Sequence, residues 1–195
     1  MFNRFGGVII KKFGMIIVIV CFSLLVACSN NQSFEDFFQK KMEENKKDYD
    51  EDVNYSYSLI HHDLNVVHPD DAIAIFLENN LQGEQIFIAY FEKINGHWNW
   101  KQTRGSEWDT PQKWSSMLMV PYIYSGAISD DSIKKVYAGQ EQAKIIEVKD
   151  NKRFWYAISS NKDVAVTFIK EDGTEELIEQ IDEEMLEDWK GNKNK

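Results

Sequence analysis

The first strong pattern in the chain is an apolar run over residues 13–28, which follows three basic side chains. Its core is about 15 residues long, and the sequence turns polar at once over residues 29–32. A membrane-spanning helix needs roughly 20 apolar residues, so the pattern favours a cleaved export signal over an uncleaved N-terminal anchor. We therefore expect residues 1–27 to be a signal peptide.

The apolar run ends in residues 25–27 (Leu-Val-Ala) directly before Cys28, and this sequence resembles the lipobox of bacterial lipoproteins. The resemblance implies that Cys28 becomes the lipidated first residue of the mature chain, which fatty acids hold at the extracytoplasmic face of the cell membrane. Cys21 fits less well, because Val20 places a branched residue where cleavage requires a small one. Residues 29–32 would then form a tether that reaches roughly 13 Å.

Helical periodicity begins behind this tether. Ser33 can cap a helix, with Asp36 three residues further on. The apolar positions that follow share one helical face: Phe34, Phe37, Phe38 and Met42. Residues 46–52 have no periodicity and little apolar content, so they predict an exposed acidic connection. Residues 28–52 thus comprise the lipidated cysteine, tether, helix and connection, and residues 53–195 a single β-rich extracytoplasmic domain.

From residue 53 the pattern changes to short runs rich in Val, Ile, Phe, Tyr and Trp, separated by turn residues. The clearest unit is a hairpin around Asn95-Gly96, because both residues tolerate the positive φ of a two-residue type I′ turn. The predicted pairs are Ile94–His97, Lys93–Trp98 and Phe91–Trp100. Large apolar side chains then lie on both faces of this hairpin, so we expect both faces to be covered.

Two further hairpins are predicted downstream. One reverses at Asp150-Asn151 and pairs Val148 with Arg153, and the other turns at Asp172-Gly173 and pairs Lys170 with Glu175. Other candidate strands cover residues 55–60, 72–77, 121–128 and 133–137. Residues 181–190 suit a short amphipathic helix. Consecutive hairpins with a short helix at each end predict a mainly β fold, an antiparallel sandwich or barrel.

Residues 126–173 resemble the C-terminal β module of small uncharacterised lipoproteins of Gram-positive bacteria. The residues that carry this resemblance are GAISDDSIKKV, AKIIEV, RFWYAI and VAVTFIKEDG. They contain no motif of defined chemistry, so the resemblance implies no known activity.

The net charge of the chain limits the classes of partner that it is expected to bind. The 195-residue chain has 32 Asp and Glu against 22 Lys and Arg, a formal net charge of −10, and removal of residues 1–27 would bring it to −13. Nucleic acid and anionic lipid repel such a chain, so we expect no nucleic-acid partner and a domain that hangs from the membrane by its lipid. No cysteine follows Cys28, which excludes disulfides and thiolate sites from the exported part.

One segment has the residue types of a metal site. His61, His62 and Asp63 are followed by His68, Asp70 and Asp71. On a strand, His61 and His62 would point to opposite faces, so we interpret the segment mainly as solvated turn residues and expect no metal and no cofactor. We assign no catalytic residue, because no nucleophile, phosphate-binding or metalloprotease motif occurs.

The longest stretch without periodicity, residues 105–117, contains Trp108 and Trp114. Such loops often bind partners, and two tryptophans could stack on a sugar, a peptide or a protein. The alternative is that both rings fold back on the core.

Together these features predict a membrane-anchored lipoprotein whose non-catalytic domain binds a protein or a cell-envelope partner. Two alternatives stay open: a metal-assisted or carboxylate hydrolase outside the cytoplasm, and an accessory or sensory subunit of a membrane complex.

Overall fold

The computed structural model describes residues 32–49 and 54–187, and the described residues from Phe34 onward belong to one compact unit. Helix α1 spans Phe34–Lys46, and residues 183–187 form a short helix α2. The strands are β1 (Ser56–Leu64), β2 (Asp71–Asn80), β3 (Gly83–Ile94), β4 (His97–Ser106), β5 (Ser115–Ser116), β6 (Tyr122–Ile128), β7 (Ile133–Ala138), β8 (Glu141–Gln142), β9 (Lys144–Lys149), β10 (Lys152–Ser159), β11 (Val166–Lys170) and β12 (Glu175–Ile178). The prediction of a mainly β fold with a short helix at each end is confirmed.

The first four strands form a meander, which we call sheet A, in the order β1-β2-β3-β4. The β3–β4 turn has the predicted geometry, with φ of 52° at Asn95 and 79° at Gly96. The three predicted pairs, Ile94–His97, Lys93–Trp98 and Phe91–Trp100, are confirmed. A β-bulge beyond Phe91 then shifts the register.

Helix α1 covers one face of sheet A. Phe34, Phe38 and Met42 are fully buried on it, because they recur at helical spacing on one side. Small alanines of β2 and β3 leave room for these large side chains, and the Phe38 ring packs edge-on to Phe76 at 5.2 Å. The predicted helix is therefore confirmed, and its apolar face packs on the domain.

The remaining strands form two more antiparallel sheets. Sheet C has the order β5-β6-β10-β9, and sheet D has the order β12-β11-β7-β8. Neighbouring residues of sheet C point to opposite sides: Ile123 and Phe154 join the core shared with sheet A, whereas Tyr124 and Trp155 join the core shared with sheet D. The molecule is thus a stack of four layers, α1, A, C and D, and of the two predicted architectures the sandwich is the correct one.

Two predicted registers are wrong by one residue. In the β9–β10 hairpin a bulge makes Arg153 oppose Glu147 rather than Val148, which places Ile146 beside Phe154 in one core. In the β11–β12 hairpin, Ile169 rather than Lys170 opposes Glu175. The loop here has three residues with Gly173 at φ 86°, a tighter reversal than the one predicted.

The four other candidate strands, residues 55–60, 72–77, 121–128 and 133–137, correspond to β1, β2, β6 and β7. Strand β1 runs further than predicted, so His61, His62 and Asp63 are strand residues and not part of a solvated turn. No helix within the two described ranges is long and apolar enough to cross a membrane.

Candidate functional site

The connection from β4 to β5 contains both tryptophans predicted to bind a partner. Each ring is partly buried, and each packs on a different core. Trp108 packs on the core between sheets A and C, and the Nζ of Lys152 lies 5.1 Å from its ring centroid. Trp114 packs on the core between sheets C and D, and its Nε1 donates a hydrogen bond to the carbonyl of Ile178 at 3.0 Å. The partner-binding role of the two rings stays a prediction, but they do not share one surface.

The C-terminal segment runs along this connection. The amide of Lys113 donates to the carbonyl of Gln180 at 2.9 Å, and the amide of Asp182 donates to the carbonyl of Pro111 at 2.8 Å. Asp182 also starts α2, because its Oδ1 accepts the amide of Met185 at 2.9 Å. These bonds hold the two segments side by side although about 70 residues separate them.

An open cavity of about 490 Å³ lies where these two segments meet the edges of sheets C and D. Its apolar surface comes from the end of β6, the start of β7, β11, β12 and the C-terminal segment. Those side chains are Ala127, Ile128, Ile133, Phe168, Leu177, Ile178, Ile181 and Met185. A volume of this size is typical of a ligand pocket.

The polar lining of this cavity is strongly acidic. It has seven carboxylates against two lysines: Glu107, Asp109, Asp130, Glu176, Glu179, Asp182 and Glu183 against Lys113 and Lys170. Both lysines already face a carboxylate, Lys113 with Asp182 at 3.4 Å and Lys170 with Glu176 at 2.8 Å. The remaining carboxylates leave the cavity with excess negative charge, which attracts cations.

The cavity carboxylates whose pKa is shifted are held in the charged form. Hydrogen bonds from Ser132 lower the pKa of Asp130. The backbone amide of Met185 lowers the pKa of Asp182, with a further contribution from Lys113. Neither side chain can therefore supply a proton near neutral pH, as a general acid must.

A smaller cavity of about 370 Å³ lies on the other side of the same connection, between it and the ends of β3 and β4. Glu107, Thr110, Gln112 and Ile181 line both cavities. The connection that sequence analysis selected therefore does form a wall of both cavities, but neither Trp108 nor Trp114 is among the residues that line them. The sequence feature that could have identified the cavity-lining residues is the excess of acidic residues in this loop and in residues 175–184.

The histidine-rich segment forms a second polar cluster, built around Asp63. The Nζ of Lys144 lies 2.7 Å from its Oδ2, the Nε2 of His61 lies 2.9 Å from the same atom, and the hydroxyl of Tyr156 donates to it as well. Burial would raise the pKa of Asp63, but the hydrogen bonds from Lys144, Tyr156 and His61 outweigh it and hold this pKa well below its usual range. Burial raises the pKa of Tyr156, and Asp63 raises it further.

This cluster joins two sheets, since β1 is an edge strand of sheet A and β9 is an edge strand of sheet C. Asp63 stays a carboxylate and Tyr156 stays a phenol at neutral pH, so the arrangement favours a structural cross-link over acid-base chemistry. His62 points the other way, as predicted, and its Nε2 lies 2.9 Å from Oε1 of Glu35 in α1.

Asp71 organises the loop that follows β1. It is fully buried, and its carboxylate accepts hydrogen bonds from the amides of Val66, Val67 and His68 at 2.7 to 3.0 Å and from the hydroxyl of Tyr90 at 3.1 Å. Burial, followed by the charge of Asp71, raises the pKa of Tyr90.

Among residues 32–49 and 54–187, no group of three or more His, Cys, Asp or Glu side chains is arranged to hold a metal ion.

Comparison with protein-family models, with curated proteins and with solved structures finds no match to this chain. Cys28, the predicted site of lipid attachment, lies outside the described residues.

Proposed function

We propose that this chain is a lipid-anchored protein at the extracytoplasmic face of a bacterial cell membrane, whose domain binds a protein or cell-envelope partner without catalysis. The anchor rests on residues 25–28, which resemble a lipobox, and on the polar sequence that follows them. Lipid on Cys28 would be the anchor of the mature chain once the signal is removed.

The acidic cavity is the observation that carries the binding part of this proposal. It combines an apolar surface with an excess of ionised carboxylates, so it fits a partner that offers an apolar group next to a positive charge. A basic segment of an envelope protein has this chemistry. Its lysines and arginines would meet the carboxylates while its apolar side chains cover Leu177 and Ile181, the exposed apolar residues of the lining.

Binding fits the chemistry of the site better than hydrolysis does. A carboxylate hydrolase requires one carboxyl group with a pKa near the working pH, to donate a proton. Asp130 and Asp182, the cavity carboxylates with shifted pKa, are shifted downwards. Ionised carboxylates are the form that binds a cationic partner.

The anchor is tested with the full chain and its Cys28→Ala variant, by membrane fractionation and metabolic labelling with a fatty acid. We expect label and membrane retention in the wild type and no label in the variant. A wild-type mature protein that is soluble and begins elsewhere than Cys28 would refute the anchor.

The cavity is tested by chemical cross-linking in cells, followed by mass spectrometry of the proteins captured. The Glu179→Lys/Glu183→Lys variant reverses two exposed cavity carboxylates, and Glu141→Lys/Glu147→Lys makes the same charge change at exposed positions outside the cavity. We expect the cavity variant to lose a cross-linked partner that the control retains, with equal thermal midpoints of the two variants. Equal capture by all three proteins would show that the cavity does not bind the partner.

A further inference from the structure

The two ends of the sandwich differ in their surface. Asp63 and Lys144 join sheets A and C near one end, and Glu84 and Lys149 join the same sheets near the other. The first end therefore carries the β1–β2 connection, the β3–β4 turn and the β5–β6 connection, because each leaves its strands on that side. We call it the entry end.

The entry end exposes a run of apolar side chains. Leu118 is 65% exposed, Met119 is 59% exposed and Val120 is 73% exposed, all in the β5–β6 connection. Leu64 and Ile94, the last residues of β1 and β3, and Val67 of the β1–β2 connection are about half exposed. Three consecutive exposed apolar side chains, with others at the same end, are typical of a surface that contacts another molecule or a membrane.

Gln102 of β4 holds the β5–β6 connection in this position. Its Nε2 donates to the carbonyl of Met119 at 3.0 Å, and its Oε1 accepts the amide of Met119 at 3.1 Å. One side-chain amide thus satisfies both backbone groups of the residue at the centre of the exposed run. The two hydrogen bonds therefore hold the backbone of the exposed apolar run in place.

The chain also enters the domain at this end. Phe34, the first residue of α1, packs edge-on to Trp98 at 5.1 Å, and Trp98 lies two residues after Gly96 of the β3–β4 turn. Only residues 29–33 separate Phe34 from Cys28, and six extended residues reach roughly 20 Å. A lipid on Cys28 would therefore keep the entry end within this distance of the bilayer.

Two carboxylates at the entry end are paired with lysines. Asp63 faces Lys144 at 2.7 Å, and Glu92 faces Lys101 at 3.2 Å. The acidic cavity, in contrast, is lined by Glu107 and Asp130. These residues follow the last residues of β4 and β6, at the end of the sandwich opposite to the entry end. The excess of carboxylates in the cavity, which would repel anionic lipid, thus lies away from the entry end.

We propose that Leu118, Met119 and Val120 insert into the outer leaflet of the membrane that holds the lipid of Cys28. This inference rests on the anchor proposed above. The membrane is the occupant because the short tether brings it to this end and because the exposed side chains of residues 118–120 are apolar. The domain then has a fixed orientation, with the acidic cavity directed away from the bilayer and towards the envelope.

The test places one fluorescent probe on the lipidated full-length mature protein in vesicles of phosphatidylethanolamine and phosphatidylglycerol. Met119→Cys supplies the attachment site, since the lipidated Cys28 has no free thiol and Cys21 lies in the removed signal. Leu81→Cys is the matched control, because Leu81 is an apolar residue that is 82% exposed at the opposite end. Val120→Cys repeats the measurement if the first variant folds poorly.

We expect a quencher in the acyl chains to reduce the emission at position 119 several-fold more than at position 81, and aqueous iodide to show the reverse order. Equal quenching at both positions in protein that floats with the vesicles would overturn the insertion and leave the anchor intact. Protein that carries no lipid and does not float would overturn both. Protection of position 119 in native membranes but not in protein-free vesicles would assign the surface to a protein partner and overturn the insertion.

Discussion

The Nζ of Lys144 lies 2.7 Å from Oδ2 of Asp63, although 81 residues separate them, and this contact closes sheet A onto sheet C. The hydroxyl of Tyr156 donates to the same carboxylate from β10. One partly buried aspartate thus joins three strands of two sheets.

We predict that Asp63→Asn lowers the free energy of unfolding by about 1.5 to 3 kcal/mol, the range for hydrogen bonds to a charged group. The control is Glu44→Gln, which removes an exposed pair with Lys41 and should cost below about 0.5 kcal/mol. Urea titration at neutral pH measures both. Equal costs would mean that Asp63 does not link the sheets.

The same cluster predicts a pH dependence. Because the pKa of Asp63 is lower in the folded chain than in the unfolded chain, its stabilisation is complete above the unfolded value, about 4, and is lost as the pH falls below it. The stability difference between wild type and Asp63→Asn should therefore be constant from pH 7 to about 5 and shrink towards pH 2. A difference that grows on acidification would contradict the assignment.

Alanine substitutions at two glycines distinguish the cost of backbone strain from the cost of steric overlap. Gly96 has φ 79° and no atom near an added Cβ, so Gly96→Ala should cost about 1 to 2 kcal/mol of strain. At Gly126 an added Cβ would meet the carbonyl oxygen of Lys113 and lie 2.8 Å from Nε1 of the buried Trp155. We predict that Gly126→Ala is the more costly, by overpacking, at about 2 to 3 kcal/mol. Denaturant midpoints of the two variants decide the order.

Gln102→Ala should loosen the exposed apolar run without unfolding the domain. The amide of Met119 loses its acceptor, so its hydrogen exchange should accelerate roughly fivefold, as expected for one hydrogen bond of about 1 kcal/mol. The control is Asn99→Ala, which removes a hydrogen bond to the carbonyl of His97. It should leave the hydrogen-exchange rate of the Met119 amide unchanged. An unchanged rate in Gln102→Ala would mean that other contacts hold the connection.

Sequence patterns correctly predicted those features of the fold that depend on residues close together in the chain. Asn95-Gly96 specified the register of its hairpin because a two-residue turn admits one pairing, and apolar residues on both faces predicted that sheet A is covered on both sides. The other two registers depended on a bulge and on a three-residue loop, which exchange one backbone partner for another at small cost.

The candidate site required long-range information. The cavity joins residues 107–113 to residues 176–185, and their proximity follows from the stacking of sheets C and D. The Asp63 cluster likewise depends on how two edge strands align. The tryptophans drew attention to the correct loop, but ring burial depends on the cores beneath them, which the sequence pattern of the loop does not describe.

Strand order also determines when each layer can form. Sheet A is complete once residue 106 has been made, and its contacts are local. Sheet C cannot close until β9 and β10 follow, because β7 and β8 of sheet D intervene in the chain. A nascent chain interrupted between these points would present Ile73, Ile88 and Tyr90 uncovered. The interval between residues 106 and 159 is therefore the stage of biogenesis at which this protein is most prone to aggregate and most in need of a chaperone.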